Sequence, residues 1–512
     1  MREPDAYFVQ LATNGAFVPA SATGARVRYE NGRLTIASVT AIARVAVRWN
    51  SGVPFTSLVF GDEWERTYGD TVWEGIRPHR ALPWYWLAAS DGGVTGAGVK
   101  TGPGAWCSWT VDVDGITLWA DVRSGTEPLE LGDRELLIAE LVSLESSEVP
   151  YRALEELVAA LAPTPIATGP IVGSNNWYYA YGQGFDADAV VSDARMIVRL
   201  ADGHSIAPFG VIDAGWGVGD GSCEGGPWDR GKDSFANMTG VAERIAAEGA
   251  RPGLWYRPLL SREKSSVSHP VFRDGGYPID PTLPGVLESI GDDIRRFRSW
   301  GYELIKHDFS TFDITGSFAP QMGPNMGAGL FTFADRSRST AEIITDVYRA
   351  IAAAAEDAVV IGCNTVGHLA AGLVAVQRIG DDTSGKHWER TRRMGINTLA
   401  ARLPQHGRFF VADADCVPAT PATPWALNRQ FLDLIARSGT ALFISADPRS
   451  LTPEVEADIA RALAVALDGG AADGIEPLDF VGNATPRTWR GGDATVEYDW
   501  SGPIGALPFD YL

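Results

Sequence analysis

Two short acidic stretches of this chain have residue types and a spacing suited to catalysis. LIKHDFS (Leu304 to Ser310) reads as a β-strand that ends at Asp308. QRIGDDTSG (Gln377 to Gly385) reads as a second strand that ends at Asp381 and Asp382. Carboxylates at the carboxyl ends of two strands of one barrel can face each other across a pocket. Two carboxylates about 5–5.5 Å apart are the arrangement that cleaves a glycosidic bond with retention of configuration.

Neighbouring residues predict which of these carboxylates face the pocket. Lys306 lies two residues before Asp308, so along a strand both side chains point to the same side. A cation there lowers the pKa of the carboxylate and can bind a sugar hydroxyl, although the spacing also fits a buried ion pair that fills the barrel. Arg378 and Asp382 are four residues apart and again share a side, which favours Asp382 over Asp381 as the acid/base. A helix-capping role for these acids is the alternative.

Side chains at the ends of other apolar runs are weaker candidates. Asp213 in IDAGWG can accept hydrogen bonds from sugar hydroxyls, or it can cap a turn of the glycine-rich loop. Trp177, Trp255 and Cys363 end three further runs, where packing in the core is the alternative to ligand binding. For the acid cluster VADADC, which includes Asp415, a hydrogen-bonded supporting role is favoured over chemistry.

Other chemistries lack the motifs that they need. GPWDRGKDS (Gly226 to Ser234) nearly matches a phosphate-binding loop, but Asp233 stands where the magnesium-binding hydroxyl belongs. The seven histidines form neither H-E-x-x-H nor H-x-H, and no G-x-S-x-G is present. The four cysteines include no C-x-x-C pair, which argues against structural zinc and a disulfide framework. We therefore expect no metal and no cofactor.

Composition and charge limit the partners of this chain. Of its 512 residues, 45% are hydrophobic and 21% are charged, so a large folded core is expected. The formal net charge of -21 repels phosphate backbones and anionic lipid, which argues against nucleic-acid binding. No run of about 18 apolar residues is present, and the amino terminus MREPDAYFVQ lacks the apolar stretch of a signal peptide. We expect no membrane association and a cytoplasmic location.

The rhythm of apolar and polar residues changes near residue 163. Before it, RVRYENGRLTIASVTAIARVAVRW shows strand alternation, YRALEELVAALA reads as a helix, and APTPIATGP reads as a linker. Eight short apolar runs then follow, mostly separated by amphipathic segments. This alternation is typical of a (β/α)8 barrel, whose βα loops build the active site at one face. The runs begin at Ile171, Pro208, Arg251, Tyr302, Ala358, Val374, Arg408 and Ala441.

These patterns divide the chain into three parts of an α/β protein. We expect an amino-terminal β-rich domain over residues 1–162, a catalytic (β/α)8 barrel over 163–455, and a carboxyl-terminal part over 456–512. The last part begins within the helical stretch LTPEVEADIARALAVALDGG, and TWRGGDATVEYDW predicts a small β-appendage.

Taken in order, the motifs resemble those of the retaining α-galactosidases of glycoside hydrolase family 36, and more distantly family 27. The resemblance covers nearly the whole chain and implies an amino-terminal β-sandwich, a barrel and a short carboxyl-terminal β-domain. WGYELIKHDF resembles the family's nucleophile strand, so Asp308 takes the role of nucleophile. QRIGDDTSGKHW resembles its acid/base strand, which gives the acid/base role to Asp382.

The same resemblance implies a set of sugar-binding residues. VIGCNT, SNNWYYAYG, RPGLWYRP and the sandwich loop FGDEWERTYGD match positions at the family's pocket. Arg378 is implied as a ligand for hydroxyls near the 2-position. The implied substrate-binding residues are Asp213, Lys306, Arg378, Cys363, Trp177, Trp255 and Trp64.

The second barrel strand departs from the family pattern. The family has Asp-Asp there, and the two carboxylates bind the 4- and 6-hydroxyls of galactose, whereas this chain has Asp213-Ala214. Losing one acceptor leaves a hydroxyl unpaired at a cost of about 1–3 kcal/mol. A sugar that differs at C4 or C6, such as β-L-arabinopyranose, is therefore an alternative to galactose. Arg257 stands where the family usually has a small residue and points the same way.

The resemblance implies an exo-acting retaining glycosidase that cleaves terminal α-galactoside-like residues by double displacement. Its partner is a small oligosaccharide or glycoside, and a homo-oligomer is compatible with the family. Two alternatives use the same barrel: a transglycosylase with the same pair of acids, and a sugar-binding barrel without hydrolysis.

Overall fold

The computed structural model describes residues 1–162, 169–218, 225–269, 272–323, 332–471 and 474–502. Cys223, most of the predicted linker and the end of the chain after residue 502 lie outside the described residues. In the described ranges, no helix combines the length and the apolar character needed to cross a membrane.

Two antiparallel sheets form the amino-terminal part of the chain. Their strands are β1 Ala6–Gln10, β2 Val18–Pro19, β3 Arg26–Glu30, β4 Arg33–Ala37, β5 Arg44–Trp49, β6 Leu58–Gly61, β7 Glu74–Gly75, β8 Leu82–Pro83, β9 Tyr85–Ser90, β10 Gly93–Val99, β11 Trp106–Val111, β12 Ile116–Asp121 and β13 Leu136–Ser146. The strand orders are β2-β1-β5-β12-β11-β8 and β3-β4-β13-β10-β9-β6-β7. Alternating burial, as in β4, gives each sheet an apolar face. Trp49 of one sheet meets Tyr29 of the other, with ring centroids 6.3 Å apart, so the predicted sandwich is confirmed.

The eight apolar runs predicted from the sequence all form strands. These and the intervening strands are β14 Val172–Asn175, β15 Phe209–Ile212, β16 Arg251–Tyr256, β17 Leu260–Ser261, β18 Tyr277–Pro278, β19 Leu304–His307, β20 Val359–Gly362, β21 Val376–Arg378, β22 Val411–Asp413, β23 Val417–Ala419 and β24 Leu442–Ala446. The parallel order is β22-β21-β20-β19-β16-β15-β14-β24-β23, and β17 and β18 form a separate hairpin. A parallel bridge between Asp413 and Ala441 closes the ring. The (β/α)8 barrel is thus confirmed, with its seventh strand split into β22 and β23.

Amphipathic helices lie between the barrel strands, as their apolar periodicity predicts. Within the described ranges, the α-helices are α1 Pro150–Leu161, α2 Trp177–Ala180, α3 Ala187–Leu200, α4 Met238–Ala247, α5 Val286–Ser299, α6 Phe312–Thr315, α7 Ala319–Met322, α8 Thr340–Ala355, α9 Gly367–Ala370, α10 Trp388–Thr391, α11 Thr398–Arg402, α12 Trp425–Ser438 and α13 Pro453–Leu467. Helix α8 begins at a capping box, in which Ser339 and Glu342 each bind the other's backbone N–H. The Asp186 side chain likewise caps the amino terminus of α3.

A small antiparallel sheet follows α13, as TWRGGDATVEYDW predicts. Its strands are β25 Ile475–Pro477, β26 Thr488–Gly491 and β27 Ala494–Glu497. Phe480 packs against Phe60 of the sandwich with ring centroids 5.7 Å apart. The Trp388 indole N–H on the barrel donates to the Trp500 carbonyl at 2.9 Å. The carboxyl-terminal part therefore contacts both of the larger parts.

A segment of the sandwich lies against the end of the sixth barrel strand, β21. Thr67, between β6 and β7, pairs with Gly380 in a parallel bridge. Arg402 on α11 binds the Asp62 carboxylate at 2.7 Å and the Glu65 carbonyl at 2.6 Å. The sandwich thus contributes residues to the face at which the barrel strands end.

The loop after the sixth strand packs closely against the segment after the first strand. A Cβ atom on Gly385 would lie 1.9 Å from the carbonyl oxygen of Tyr178. We expect Gly385→Ala to lower the free energy of unfolding by about 1–3 kcal/mol, because the backbone must move to relieve the overlap. Urea unfolding measures this loss. Gly184→Ala is the control, since its Cβ would meet nothing within 4 Å, and an equal loss in both variants would contradict the prediction.

Candidate active site

Asp308 follows the fourth barrel strand, and its carboxylate is held by N–H donors. The Trp255 indole N–H donates to Oδ2 at 3.2 Å, and the Phe309 backbone N–H donates to Oδ1 at 2.8 Å. Phe309 has a φ of 57°, a left-handed conformation that is strained for a bulky residue. Strain of this kind clusters at functional sites, where the surrounding structure holds it in place.

A buried ion pair connects the second and fourth barrel strands. The Lys306 ammonium group lies 2.6 Å from Oδ2 of Asp213, which also accepts a 2.7 Å bond from the Asn175 side chain. Burial lowers the pKa of Lys306, but Asp213, with smaller contributions from Cys363 and Cys416, outweighs burial and raises the pKa well above its usual value. Lys306 therefore pairs with Asp213, whereas the donors to Asp308 are neutral N–H groups.

The two adjacent acids after the sixth strand have different surroundings. Arg66 lies 2.5 Å from Oδ1 of Asp381, and Arg390 lies 2.6 Å from its Oδ2. The Asp381 side chain is 10% exposed, whereas that of Asp382 is 36% exposed. Asp382 accepts a hydrogen bond from Arg378 at 3.2 Å. Because an acid/base must be reachable by its ligand, these surroundings favour Asp382 over Asp381.

The cations around Asp382 keep it ionised. Burial raises its pKa, but the guanidinium groups of Arg378 and Arg66, at 3.2 Å and 3.9 Å, outweigh burial and lower the pKa of Asp382 to about 2. Lys306 and Arg390 act in the same direction. At neutral pH the free carboxylate can accept a proton, and a ligand must change its surroundings before it can donate one.

Arg378 connects the sixth strand to both neighbouring strands. Its guanidinium group lies 3.6 Å from the Cys363 sulfur, after the fifth strand, and 3.0 Å from the Asp415 carboxylate, after β22. Asp415 also accepts bonds from the Thr383 backbone N–H at 2.7 Å and from the Tyr178 hydroxyl. Nε of Arg378 is buried, and within the described residues it has no hydrogen-bond partner. Arg378 is thus held firmly by partners on both neighbouring strands.

Two of the predicted tryptophans lie in different environments. Trp177, at the start of α2, is partly buried, with its ring centroid 5.7 Å from that of Tyr181. Trp64 is 2% exposed and packs against Trp84 and Trp106 at centroid distances of 5.7 Å and 5.6 Å. Trp64 is therefore fixed among rings of the sandwich, and its part in sugar binding stays a prediction.

The two departures from the family pattern have partners in the protein. Arg257 is buried and binds the carboxylates of Asp313 at 2.6 Å and Asp274 at 2.7 Å. The Ala214 backbone N–H donates to Oδ1 of Asp213 at 2.8 Å. The charge of Arg257 is thus paired with protein groups, and the second strand offers one carboxylate where the family has two.

The thiol of Cys363 is buried beside Arg378, and its part in sugar binding stays a prediction. Burial, assisted by the charge of Asp308, raises the pKa of the Cys363 thiol well above its usual value. A protonated thiol is a poor nucleophile and a poor metal ligand. Within the described ranges, no group of three or more His, Cys, Asp or Glu side chains is arranged to hold a metal ion.

Arg66 and Asn175 contact the candidate residues, but the sequence does not predict either of them as a site residue. In FGDEWERTYGD the predicted residue is Trp64, and Arg66 lies two residues later. In SNNWYYAYG the predicted residue is Trp177, and Asn175 lies two residues earlier.

Comparison with known proteins places the fold. No family model matches this chain. The α-galactosidase TtGalA from Thermus thermophilus, solved with p-nitrophenyl α-D-galactopyranoside, is 19% identical and aligns over 93% of this chain and 96% of its own, with a TM-score of 0.62.

Two further solved structures share the architecture. The family 36 α-galactosidase AgaA from Geobacillus stearothermophilus is 15% identical and aligns over 91% of this chain and 76% of its own, with a TM-score of 0.59. The galactosidase domain of the α-galactosidase–sucrose kinase AgaSK is 14% identical and aligns over 88% of this chain and 67% of its own, with a TM-score of 0.56. The chain therefore has the fold of the α-galactosidases of glycoside hydrolase family 36.

Proposed function

We propose that this protein is an exo-acting retaining glycosidase that removes terminal α-galactoside-like residues from small oligosaccharides or glycosides. The observation that carries the proposal is the contrast between Asp308, held by N–H donors after the fourth strand, and Asp382, partly open beside Arg378 after the sixth. Two such carboxyls suit a double displacement. The sugar class is supported by TtGalA, which was solved with stachyose and with an aryl α-galactoside.

Both chemical steps use this pair of acids. In the first step Asp308 attacks the anomeric carbon, and the leaving oxygen takes a proton from Asp382, which gives a covalent glycosyl–enzyme. In the second step the Asp382 carboxylate takes a proton from water, and the water oxygen displaces Asp308 from the anomeric carbon. The N–H groups of Trp255 and Phe309 hold the Asp308 carboxylate for the attack.

The proton of Asp382 is coupled to sugar binding through Arg378. With a pKa of about 2, Asp382 of the free protein is ready for the second step, whereas the first step requires it to carry a proton. An N–H group of Arg378 that donates to a sugar hydroxyl is no longer available to Asp382, so the hydrogen bond to the carboxylate weakens and the pKa of Asp382 rises. Sugar binding therefore prepares the carboxyl to act as an acid.

The second strand determines the sugar. Asp213 and the ammonium group of Lys306 remain as ligands for hydroxyls, and Ala214 offers no side-chain acceptor. A galactoside loses one hydrogen bond in comparison with the family pattern, whereas a pentopyranoside without the C6 hydroxymethyl group need not. The proposed class therefore includes β-L-arabinopyranosides beside α-galactosides.

Two experimental results would favour a different function. A transglycosylase would pass the glycosyl group to a sugar acceptor, so the ratio of transfer to hydrolysis with acceptor present identifies it. A sugar-binding barrel would change its Trp fluorescence on binding sugars and turn over no member of a nitrophenyl panel. The panel contains the α-D-galactoside, the β-L-arabinopyranoside and the α-N-acetylgalactosaminide.

Replacing each acid should give a different product with azide. We expect Asp308→Ala to lower turnover of p-nitrophenyl α-D-galactopyranoside at least about a thousandfold, because no nucleophile remains. Azide should restore part of this activity and give the β-galactosyl azide, since direct attack inverts the anomeric carbon. In Asp382→Ala azide attacks the glycosyl–enzyme instead and gives the α-anomer, which NMR of the products distinguishes.

The control for these variants is Asp188→Ala, whose side chain is 82% exposed on helix α3. It should keep full turnover. Full activity of Asp308→Ala, or the same anomer from both acid variants, would refute the assignment of roles.

The pH dependence of kcat/KM should differ between substrates that have different leaving groups. kcat/KM reports the free protein, in which Asp382 has a pKa of about 2, so its protonated fraction falls tenfold per pH unit at higher pH. For an alkyl α-galactoside, which needs this proton, kcat/KM should fall about tenfold per unit between about pH 5 and pH 8. For a dinitrophenyl α-galactoside, whose leaving group needs no proton, it should stay nearly constant. Parallel profiles for the two substrates would rule out this role of Asp382.

A further inference from the structure

The chain between β6 and β7 of the sandwich crosses to the barrel and pairs with the end of the sixth strand. The Thr67 N–H donates to the Ile379 carbonyl at 2.9 Å, and the Thr67 carbonyl accepts from the Asp381 N–H at 2.9 Å. Arg402 holds the same segment through the Asp62 carboxylate at 2.7 Å. These contacts fix the backbone of the segment relative to Asp381.

Arg66 extends from this segment toward both acids of the sixth strand. One terminal nitrogen lies 2.5 Å from Asp381, and the other lies 3.9 Å from Asp382. The Arg66 side chain is only 7% exposed, and its guanidinium carbon lies 5.6 Å and 5.8 Å from the ring centroids of Tyr68 and Phe318. A cation enclosed in this way is poorly screened by solvent, so it acts strongly on a carboxylate at this distance.

We infer that Arg66 is a positioning residue that the sandwich contributes to the active site: it anchors Asp381 and places a fixed positive charge beside the carboxyl of Asp382. The inference rests on the proposed function for the acid/base role of Asp382. With Arg66 in this role, the chemistry of the barrel depends on a residue of the sandwich. Arg66 acts through Asp382 and has no proposed contact with the sugar.

Asp382 faces other titratable groups that also influence its charge. Arg378 comes from its own strand, at 3.2 Å. The remaining groups come from the fourth strand, from α10 and from the segment after the first strand, and they are Lys306, Arg390, Tyr178 and Tyr181. Unlike Lys306 and Arg378, Arg66 is not a proposed sugar ligand, so its replacement changes the field at Asp382 and leaves those ligands in place.

The test is a ¹³C NMR titration of the Asp382 carboxyl, whose signal is identified by its loss in Asp382→Asn. In Arg66→Met we expect the titration midpoint to rise by about 1–3 pH units, because an opposite charge 3.9 Å from the carboxylate has been removed. In Arg66→Lys, which keeps a cation, the midpoint should stay within about half a unit of the original protein.

A second variant provides the same test if Arg66→Met does not fold. Arg66→Met leaves Asp381 partly uncompensated, whereas the double variant Arg66→Met/Asp381→Asn removes the buried carboxylate together with its partner. The double variant should show a smaller rise of the Asp382 midpoint in the same direction, because it also removes the negative charge of Asp381 beside Asp382. The control is Arg393→Met, which removes an exposed ion pair of 2.9 Å with Asp70 of the same segment and should leave the midpoint unchanged.

A comparison of kcat/KM for an alkyl and a dinitrophenyl α-galactoside tests the role of Asp382 separately from the role of Arg66. The ratio of their kcat/KM values at pH 6 should rise about tenfold for each unit by which the midpoint rises. A raised midpoint without a raised ratio would leave Arg66 in its role and show that Asp382 is not the acid. An unchanged midpoint in both variants that lack the Arg66 cation overturns the inference.

Discussion

Pairing of buried opposite charges is the interaction on which the mouth of the barrel depends. Removing one partner of such a pair leaves an uncompensated charge, which typically costs about 3–5 kcal/mol. The partners come from different elements of the chain, so the balance of charge also fixes the relative positions of those elements. The pairs are Lys306–Asp213, Arg66–Asp381, Arg390–Asp381 and Arg378–Asp415.

This network separates supporting acids from reactive ones. Asp213, Asp381 and Asp415 are each tied to a cation within 3.0 Å and are almost fully buried. Asp308 is bound instead by neutral N–H donors, and Asp382 shares the guanidinium group of Arg378 and keeps part of its surface open. The proposed nucleophile is thus bound by neutral groups, and the proposed acid/base keeps an open side for a ligand.

The local pattern of the sequence predicts where the strands lie and which of their side chains share a face. Apolar runs that end in polar residues identify all eight barrel strands, because strand length and period are local properties. Parity along the sixth strand likewise favours Asp382, since Arg378 contacts Asp382 while Asp381 binds Arg66 and Arg390.

The partners of the buried charges follow from the closed topology, which local patterns do not contain. Lys306 pairs with Asp213 at a separation of 93 positions, whereas the sequence offers Asp308 as its nearer acid. Arg66 and Asp381 are 315 positions apart. Trp64 illustrates the converse. Its motif places it near the barrel, and its indole N–H does bind the Gly323 carbonyl at 2.9 Å, but its ring packs in the aromatic core of the sandwich.

The bridge between Thr67 and Gly380 has a consequence for the evolution and engineering of this architecture. Accessory modules of carbohydrate-active enzymes can in general be exchanged when only a linker joins them to the rest of the chain. Here the bridging segment supplies backbone partners to the sixth strand, so the amino-terminal module is not a detachable accessory. A barrel inherited or expressed without it would have to evolve a replacement for that segment before its sixth strand regained its present surroundings.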